Sequence, residues 1–343
     1  MGLRIRLRWI RNRLLRPGGR GAILLYHRIA DDPLEPYGSC VSPENFEKQL
    51  RVLTRRTRPC RLRDLAESVR SGKVPDGSVA LTFDDGYLDN LTQALPLLER
   101  YGVPATFFVT TGDAGRDREF WWDRLGHAVL GRSWSGECLE VTLGGQPFQW
   151  RLNDSVARGV TDPLRGTDAT GRTAEAEAQS VQEILRELHS ALLPLPPAER
   201  EQAVDRICSW AGRDPGWVRE AYQAMDPSQV ERVAAHPLID VESHTHHHCA
   251  LTHRPGSEQD EELGRSRETL EGWTGREVAG IAYPHGRFDD SVGERSARAG
   301  YRYGCSTRNE AVTQSSRIHA LPRLYVGNGD VEAFERRLLW VLY

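Results

Sequence analysis

The fold is best inferred from one short segment, Val79-Ala80-Leu81-Thr82-Phe83-Asp84-Asp85-Gly86-Tyr87. An apolar, strand-favouring run ends abruptly in two carboxylates and a glycine, which indicates a short buried strand that closes in a turn. Buried strands of α/β proteins place their functional groups at the carboxyl end, where loops form a pocket. Consecutive side chains of an extended chain point to opposite sides, so Asp84 and Asp85 are expected to take different roles, one toward a metal and one toward a substrate. Taken alone, Asp-Asp-Gly is also typical of a solvated turn.

A second polar cluster follows some 160 residues later, at residues 242–249. Four of the 11 histidines lie at positions 244, 246, 247 and 248, directly after a short strand-like run. His244 and His248 are spaced i, i+4, so a helical turn would place both imidazoles on one face. Two imidazoles and one carboxylate form the open site of a hydrolytic Zn²⁺ or a non-haem Fe²⁺. The alternative is a histidine-rich surface loop that binds metal adventitiously; the Asp84-Asp85 pair favours the specific site.

Composition limits the class of protein. A chain of 343 residues forms one large domain or two smaller ones. Its formal charge of -3 gives no global field that would attract nucleic acid. The six cysteines are scattered without Cys-x-x-Cys spacing, which favours reduced thiols in a cytoplasmic protein over a disulfide framework.

The first 21 residues form a basic segment in which arginines alternate with apolar residues. It has neither the uninterrupted apolar stretch nor the small-residue cleavage site of a secretory signal, so a cytoplasmic location is expected. One interpretation is that this segment lies on an anionic membrane surface. The other is a solvated tail, and the sequence favours neither.

The remaining residues, 22–343, alternate between strand-like and helical patterns. Strand, helix and strand at this spacing imply parallel pairing through crossovers, in either a barrel or a doubly wound sheet. A mostly helical insertion is predicted at residues 116–235, either as a lid or substrate wall or as a structural appendage. The predicted core strands are residues 22–26, 79–83, 105–110, 238–241, 278–283, 301–306 and 320–326.

The two motifs together resemble those of the polysaccharide deacetylase family, carbohydrate esterase family 4. Residues 82–86 match its first motif, Thr-Phe-Asp-Asp-Gly, and residues 244–248 match its second, His-Ser/Thr-x-x-His. The resemblance implies an α/β fold, a distorted parallel (β/α) barrel of about seven strands. It also implies metal-dependent removal of the N-acetyl group from an N-acetylhexosamine in a glycan, an exopolysaccharide, or a lipid- or nucleotide-linked sugar.

The resemblance also assigns the central residues. Asp84 would be the general base, and Asp85, His244 and His248 would be the ligands of a divalent metal ion. Zinc is the expected metal because hydrolysis needs no redox chemistry, and cobalt, nickel or iron would accept the same ligands.

The third motif of the family, Arg-x-Pro-Tyr, is altered here to Ala282-Tyr283-Pro284-His285. The arginine that orients the base is therefore missing from its usual place, and Arg323 or Arg287 is expected to replace it. The backbone N–H of the last motif position, His285, is expected to stabilise the oxyanion, since a backbone donor survives a change of side chain.

The general acid has two candidates by the same resemblance. His319 is the nearest match to a late Leu-x-His motif, and His27 follows the first strand. The residues expected to contact the sugar are Tyr87, Tyr283, Pro284, Arg323 and His27.

Two other functions remain open at this stage. The first is a different amide hydrolase on the same site, such as a deformylase of a lipid-linked amino sugar. The second is an inactive sugar-binding module that keeps the fold, which the altered third motif favours. The intact set of Asp84, Asp85, His244 and His248 opposes it.

Overall fold

The computed structural model describes residues 18–32, 35–131, 138–151 and 174–343. It divides into two compact units. The first unit comprises the described residues within 1–33, 37–116 and 224–343, and the second unit those within 34–36 and 117–223. Residues 1–17, most of the basic amino-terminal segment, lie outside the described residues. None of the described helices combines the length and the apolar character that a bilayer crossing needs.

Strands and helices alternate through most of the described chain. The strands are β1 (Gly21–Tyr26), β2 (Arg28–Ile29), β3 (Cys40–Val41), β4 (Arg58–Pro59), β5 (Ser78–Phe83), β6 (Ala105–Val109), β7 (Cys138–Leu143), β8 (Gln146–Arg151), β9 (Ile239–Ser243), β10 (Gly280–Ala282), β11 (Tyr303–Cys305) and β12 (Leu324–Tyr325). The α-helices are α1 (Pro43–Arg56), α2 (Leu62–Arg70), α3 (Leu95–Tyr101), α4 (Trp121–Leu130), α5 (Ala174–Leu192), α6 (Pro197–Trp210), α7 (Pro227–Ala235), α8 (Gly256–Thr274), α9 (Asp290–Arg298) and α10 (Val331–Leu342).

The main sheet of the first unit is parallel and has the strand order of a barrel. Its order is β11-β10-β9-β6-β5-β1-β12, and β4 pairs with β5 beside this path. A doubly wound sheet reverses its strand order at a switch point, whereas this order advances with the sequence from β1 to β11 and then returns through β12. The distorted parallel barrel of about seven strands is therefore confirmed, and the doubly wound alternative is wrong.

A short segment before β12 joins the two edges of the sheet. The N–H of Leu321 donates to the carbonyl of Gly304 at 2.8 Å, and the N–H of Ser306 donates to the carbonyl of Leu321 at 2.8 Å. Three residues further on, Leu324 pairs with Leu24 of β1. Because Arg323 lies between these two attachments, its backbone is fixed by the closure of the sheet.

Alternate residues of the strands enter two different apolar clusters. Ile23, Ala80 and Phe108 pack with Leu62 and Leu65 of α2. Their sequence neighbours on the strands pack into a second, larger cluster with the surrounding helices. Burial on both faces explains why the strands read as nearly continuous apolar runs, as parallel strands do.

A buried side chain reinforces the pairing of β9 with β10. The ladder there consists of the single pair Ile281 and Ser243. The carboxylate of Glu242 accepts the N–H groups of Ala279 and Gly280 at 2.8 and 2.7 Å. Burial raises the pKa of Glu242 to about 7. Glu242 thus supplies hydrogen bonds that the short ladder lacks, and β10 carries the altered third motif at its end.

Most element boundaries follow local signals that the sequence displays. The Ser42 side chain accepts the N–H of Asn45 at the start of α1, with Pro43 at its first position. Gly102 ends α3 in the left-handed conformation at φ 62°. All the predicted core strands are present, with bounds shifted by a few residues.

The second unit is mostly helical. Its helices are α4, α5 and α6, and its hairpin β7–β8 turns at Gly144-Gly145. The guanidinium of Arg124 on α4 forms ion pairs with Glu201 and Asp205 of α6. These ion pairs connect α4 to α6.

Candidate metal centre and catalytic carboxylates

The two carboxylates of the first motif separate at a left-handed turn. The N–H of Asp84 still donates to the carbonyl of Tyr26 at 3.0 Å and continues the pairing of β5 with β1. Asp85 and Gly86 follow with φ angles of 74° and 88°. A Cβ atom at Gly86 would lie 3.1 Å from Cγ1 of Val109, a tight contact, and the positive φ angle favours glycine at this position. The expected extended backbone is therefore wrong at Asp85, and the turn gives the carboxylates different partners.

Asp85, His244 and His248 converge as the sequence predicts. Oδ1 of Asp85 lies 3.4 Å from Nε2 of His244 and 3.2 Å from Nε2 of His248. The two Nε2 atoms are 3.2 Å apart. All three side chains are buried, and their potential ligand atoms lie within 4.8 Å of one another.

This donor set fits a divalent cation. Atoms that surround Zn²⁺ at about 2.0–2.1 Å in a tetrahedral site lie about 3.3–3.4 Å from one another, close to the distances between these three. Nδ1 of His244 lies 2.8 Å from the carbonyl oxygen of Ala282. That nitrogen must carry the proton to donate to a carbonyl, so a neutral His244 would offer the lone pair of Nε2 to a cation at the cluster.

The charge state of Asp85 also fits. Burial alone raises the pKa of a carboxyl group. In the metal-free site, hydrogen bonds that the rings of His244 and His248 donate to Asp85 outweigh that effect and hold the pKa of Asp85 well below its ordinary value. The cluster therefore presents an ionised carboxylate and two imidazoles.

The turn that carries the histidines is not helical. Residues 244–248 follow β9 without helical hydrogen bonding, and Thr245 and His248 have φ angles of 66° and 51°. The predicted convergence of His244 and His248 is present, but its expected cause, a shared helix face, is wrong. The left-handed residues fold the chain back and bring the two rings to a centroid distance of 4.8 Å.

Asp84 forms a buried bidentate ion pair with Arg323. Oδ1 and Oδ2 lie 2.6 and 2.7 Å from the two terminal nitrogens of the guanidinium. Burial by itself raises the pKa of Asp84, but the charge and hydrogen bonds of Arg323 oppose it, and the pKa lies below its ordinary value. Oδ2 of Asp84 also lies 3.9 Å from Nε2 of His244, beside the candidate metal centre. Of the two arginines considered in place of the missing one, Arg323 occupies the position, and Arg287 is exposed.

Two further predicted residues lie near the cluster. The charge of His27 lowers the pKa of both Asp84 and Asp85, so its ring is within electrostatic reach of both carboxylates. The ring of His285 packs edge to face on that of His248 at a centroid distance of 4.5 Å. His285 has a φ angle of 57°.

Other predicted side chains have partners elsewhere. The pKa of His319 is lowered by burial and by the charge of Arg70, and within the described residues no hydrogen bond joins its ring to the cluster. Tyr283 is fully buried, stacks on Phe288 and donates its hydroxyl to the carbonyl of His319 at 3.0 Å. This burial opposes the expected sugar contact of Tyr283.

Pro284 and Tyr87 are also buried. Pro284 begins the short 3-10 turn that contains His285. Tyr87 lies under the guanidinium of Arg28, which is 5.0 Å from its ring centroid. The sugar contacts predicted for both residues stay predictions.

The sequence analysis did not identify two residues that hold the chain at His27 and at the turn of residues 244–248. The side chain of Asn90 donates to the carbonyl of His27 at 2.8 Å. Glu262 accepts the backbone N–H groups of His246 and His247 at 3.0 and 2.8 Å. A signal for Glu262 existed, because a glutamate that shares a helix face with Leu263, Ser266 and Leu270 points into the core.

The cluster makes a direct prediction about metal binding. Metal-stripped protein is expected to gain thermal stability on addition of Zn²⁺, because a ligand that binds only the folded state stabilises it. Asp85→Asn, His244→Ala and His248→Ala should each remove most of the rise in Tm, as measured by differential scanning fluorimetry. His253→Ala, at an exposed histidine, is the control and should keep the full rise. An unchanged rise in His248→Ala would contradict the site.

The Asp84–Arg323 pair makes a prediction about stability. Arg323→Met is expected to lower the free energy of unfolding by about 3–5 kcal/mol, since it leaves a buried carboxylate without its partner. In the double variant Asp84→Asn/Arg323→Met, the loss should be clearly smaller than the sum of the two single losses. The free energies of unfolding of the wild type, the two single variants and the double variant are measured by urea-induced unfolding. Additive losses would show that the two side chains do not interact.

Comparisons with known proteins agree with this geometry. The sequence profile described as polysaccharide deacetylase matches residues 71–139 and 202–304, just over half of the chain. Curated poly-beta-1,6-N-acetyl-D-glucosamine N-deacetylases from several Staphylococcus aureus strains are 33% identical over 78 residues, or 22% of this chain. The match spans only 27% of the length of these relatives.

Solved structures share the fold at low sequence identity. IcaB from Ammonifex degensii has a TM-score of 0.57 at 16% identity, over 94% of this chain and 98% of that one. A polysaccharide deacetylase from Bacillus cereus has the same TM-score and identity, over 94% of this chain and 69% of that one. The profile match, together with two motifs that meet at one end of a parallel barrel, shows that the chain belongs to the polysaccharide deacetylase family.

Proposed function

We propose that the protein is a metal-dependent hydrolase that removes the N-acetyl group from an N-acetylhexosamine. The observation that carries the proposal is the buried triangle of Asp85, His244 and His248, with the separately held carboxylate of Asp84 beside it. A sugar-binding module has no need of an ionised acid next to a metal site, whereas amide hydrolysis needs a group that accepts a proton there.

Asp84 is the proposed general base. Its carboxylate is ionised and is fixed at both oxygens by Arg323, so it cannot rotate away from the cluster. A carboxylate has about four lone-pair sites, and the guanidinium uses two of them. Asp84 can therefore accept a proton from an attacking water while the ion pair stays intact.

Asp85, His244 and His248 would hold the divalent ion, with zinc as the proposed metal. When bound, such an ion supplies a Lewis acid that polarises the amide carbonyl and acidifies water. The backbone N–H of His285 is the proposed donor to the oxyanion. The packing of the His285 ring on that of His248 supports this role, because it brings His285 next to a candidate metal ligand.

His27 is the better placed of the two candidates for the general acid. Its charge acts on both carboxylates of the site, and Asn90 holds its backbone carbonyl. The ring of His319 instead lies near the charge of Arg70. We therefore assign protonation of the leaving amine to His27.

The proposed substrate is an N-acetylated amino sugar in a glycan, an exopolysaccharide, or a lipid- or nucleotide-linked precursor. The poly-N-acetylglucosamine deacetylases among the relatives support this class. We propose the cytoplasm as the compartment, which is supported by the absence of a disulfide among the six cysteines, all of them in the described part of the chain. Contact of the basic amino-terminal segment with a membrane surface stays a prediction.

The central experiment separates metal binding from turnover. Asp84→Asn is expected to keep Zn²⁺ binding and to lower the rate of acetate release from β-1,6-linked N-acetylglucosamine oligomers by about 10²–10⁴-fold, because the proton acceptor is lost. Asp64→Asn, at an exposed aspartate, is the control. Wild-type turnover retained in Asp84→Asn would refute the assignment. Release of formate from an N-formyl sugar, but no acetate, would identify a deformylase.

The acid is tested by the pH dependence of kcat. His27→Gln should lower kcat by about 10²–10⁴-fold and remove the basic limb of the pH–rate profile, because no group remains to protonate the amine. His319→Gln should keep both limbs. A lost basic limb in His319→Gln, with a normal profile in His27→Gln, would reverse the assignment.

A further inference from the structure

The turn that presents the two metal-binding histidines is strained. Thr245 and His248 both adopt positive φ angles, 66° and 51°. Such conformations are unfavourable for residues other than glycine, and especially for a β-branched one. They cost about 1–3 kcal/mol each and persist only where the surroundings enforce them. The turn therefore depends on contacts outside residues 244–248.

Glu262 supplies contacts of this kind. One carboxylate oxygen accepts the consecutive N–H groups of His246 and His247 at 3.0 and 2.8 Å, between the two strained residues. The other oxygen lies 2.6 Å from Nδ1 of His247. Consecutive backbone N–H groups beside left-handed residues form a concave site for an anion, and here the anion is a side chain of the protein itself.

The helix that carries Glu262 is anchored to the strand that precedes the turn. Oγ of Ser266, one helical turn further along α8, lies 2.8 Å from Oγ of Ser243, the last residue of β9. Ser266 and Leu270 are buried on the same face as Glu262. The position of the carboxylate is therefore fixed relative to the start of the turn.

The opposite side of the turn is held by the loop that follows β6. Oγ1 of Thr111 lies 2.8 Å from Nδ1 of His246, and the N–H of Gly112 donates to the carbonyl of His246 at 2.7 Å. A Cβ atom at Gly112 would lie 2.5 Å from that carbonyl oxygen. The turn is thus held by contacts from two sides, the loop after β6 and helix α8. Glu262 is the charged residue among these contacts.

We propose that Glu262 is a positioning residue that sets the metal affinity of the site by holding residues 244–248 in the strained form in which His244 and His248 face Asp85. This inference rests on the metal site of the proposed function and on no property of the sugar. Glu262 lies behind the turn, and within the described part of the chain its hydrogen bonds go to His246 and His247 and to none of the three ligands. It acts through the backbone N–H groups of His246 and His247, which lie between His244 and His248 in the chain.

The test measures the Zn²⁺ dissociation constant of metal-stripped protein by chelator competition, and Tm with and without metal. Glu262→Ala should raise the dissociation constant by about 10- to 100-fold, the typical cost of losing a group that orients metal ligands. Glu261→Ala, at the exposed neighbouring position, is the matched control and should bind metal as wild type does.

Two conservative variants separate the effect of side-chain length from the effect of charge. They also provide the test if Glu262→Ala does not fold. Glu262→Gln keeps an oxygen at the two N–H groups without the charge, and should bind Zn²⁺ within about threefold of wild type. Glu262→Asp keeps the charge but shortens the side chain, and should bind more weakly than Glu262→Gln. The opposite order would overturn the inference in favour of a simple charge effect.

A purely structural role of Glu262 predicts a different result in these measurements. Lower Tm values in Glu262→Ala with and without metal, but an unchanged dissociation constant, would overturn the inference. Because no sugar is present in these measurements, a wild-type protein that binds Zn²⁺ and releases no acetate would refute the proposed function alone. A tenfold loss of affinity in Glu262→Ala would support the positioning role in either case.

Discussion

The buried pairing of Asp84 with Arg323 is the interaction on which the rest of the site depends. Asp84 ends β5, and Arg323 lies on the segment that joins β11 to β12 and thereby connects the two edges of the sheet. An unpaired charge at either position would be costly to bury. Closure of the sheet brings Arg323 to Asp84. The guanidinium keeps the buried carboxylate ionised and fixes its orientation.

Backbone strain is concentrated at the same end of the barrel. Among the described residues, the four non-glycine residues with positive φ are Asp85, Thr245, His248 and His285. Two of them are candidate metal ligands, one lies in the turn between ligands, and one is the proposed oxyanion donor. Strain of this kind marks functional sites, where surrounding contacts hold a conformation that the local sequence would avoid. Glu262, Thr111 and the packing of His285 on His248 are such contacts.

The two arginine positions illustrate how a family motif can be altered without loss of geometry. The third motif lacks its arginine at Ala282, yet a guanidinium reaches Asp84 from Arg323, some 40 residues later. A bidentate partner needs only to bring its planar group to the carboxylate. Its origin along the chain is free to vary, provided that the fold brings the two strand ends together.

The amino-acid sequence was sufficient to predict the strands, their parallel connection and the three candidate ligands, because these depend on local apolar patterning, turn residues and ligand chemistry. It also indicated the loss of the usual arginine. It did not determine why Asp85 and His248 point to one centre, since both rely on left-handed backbone that spacing alone does not reveal. Nor could it choose between Arg323 and Arg287 as the partner of Asp84, or find Glu262. Those distinctions depend on burial and on contacts between residues far apart in the chain, and only the closed tertiary structure decides them.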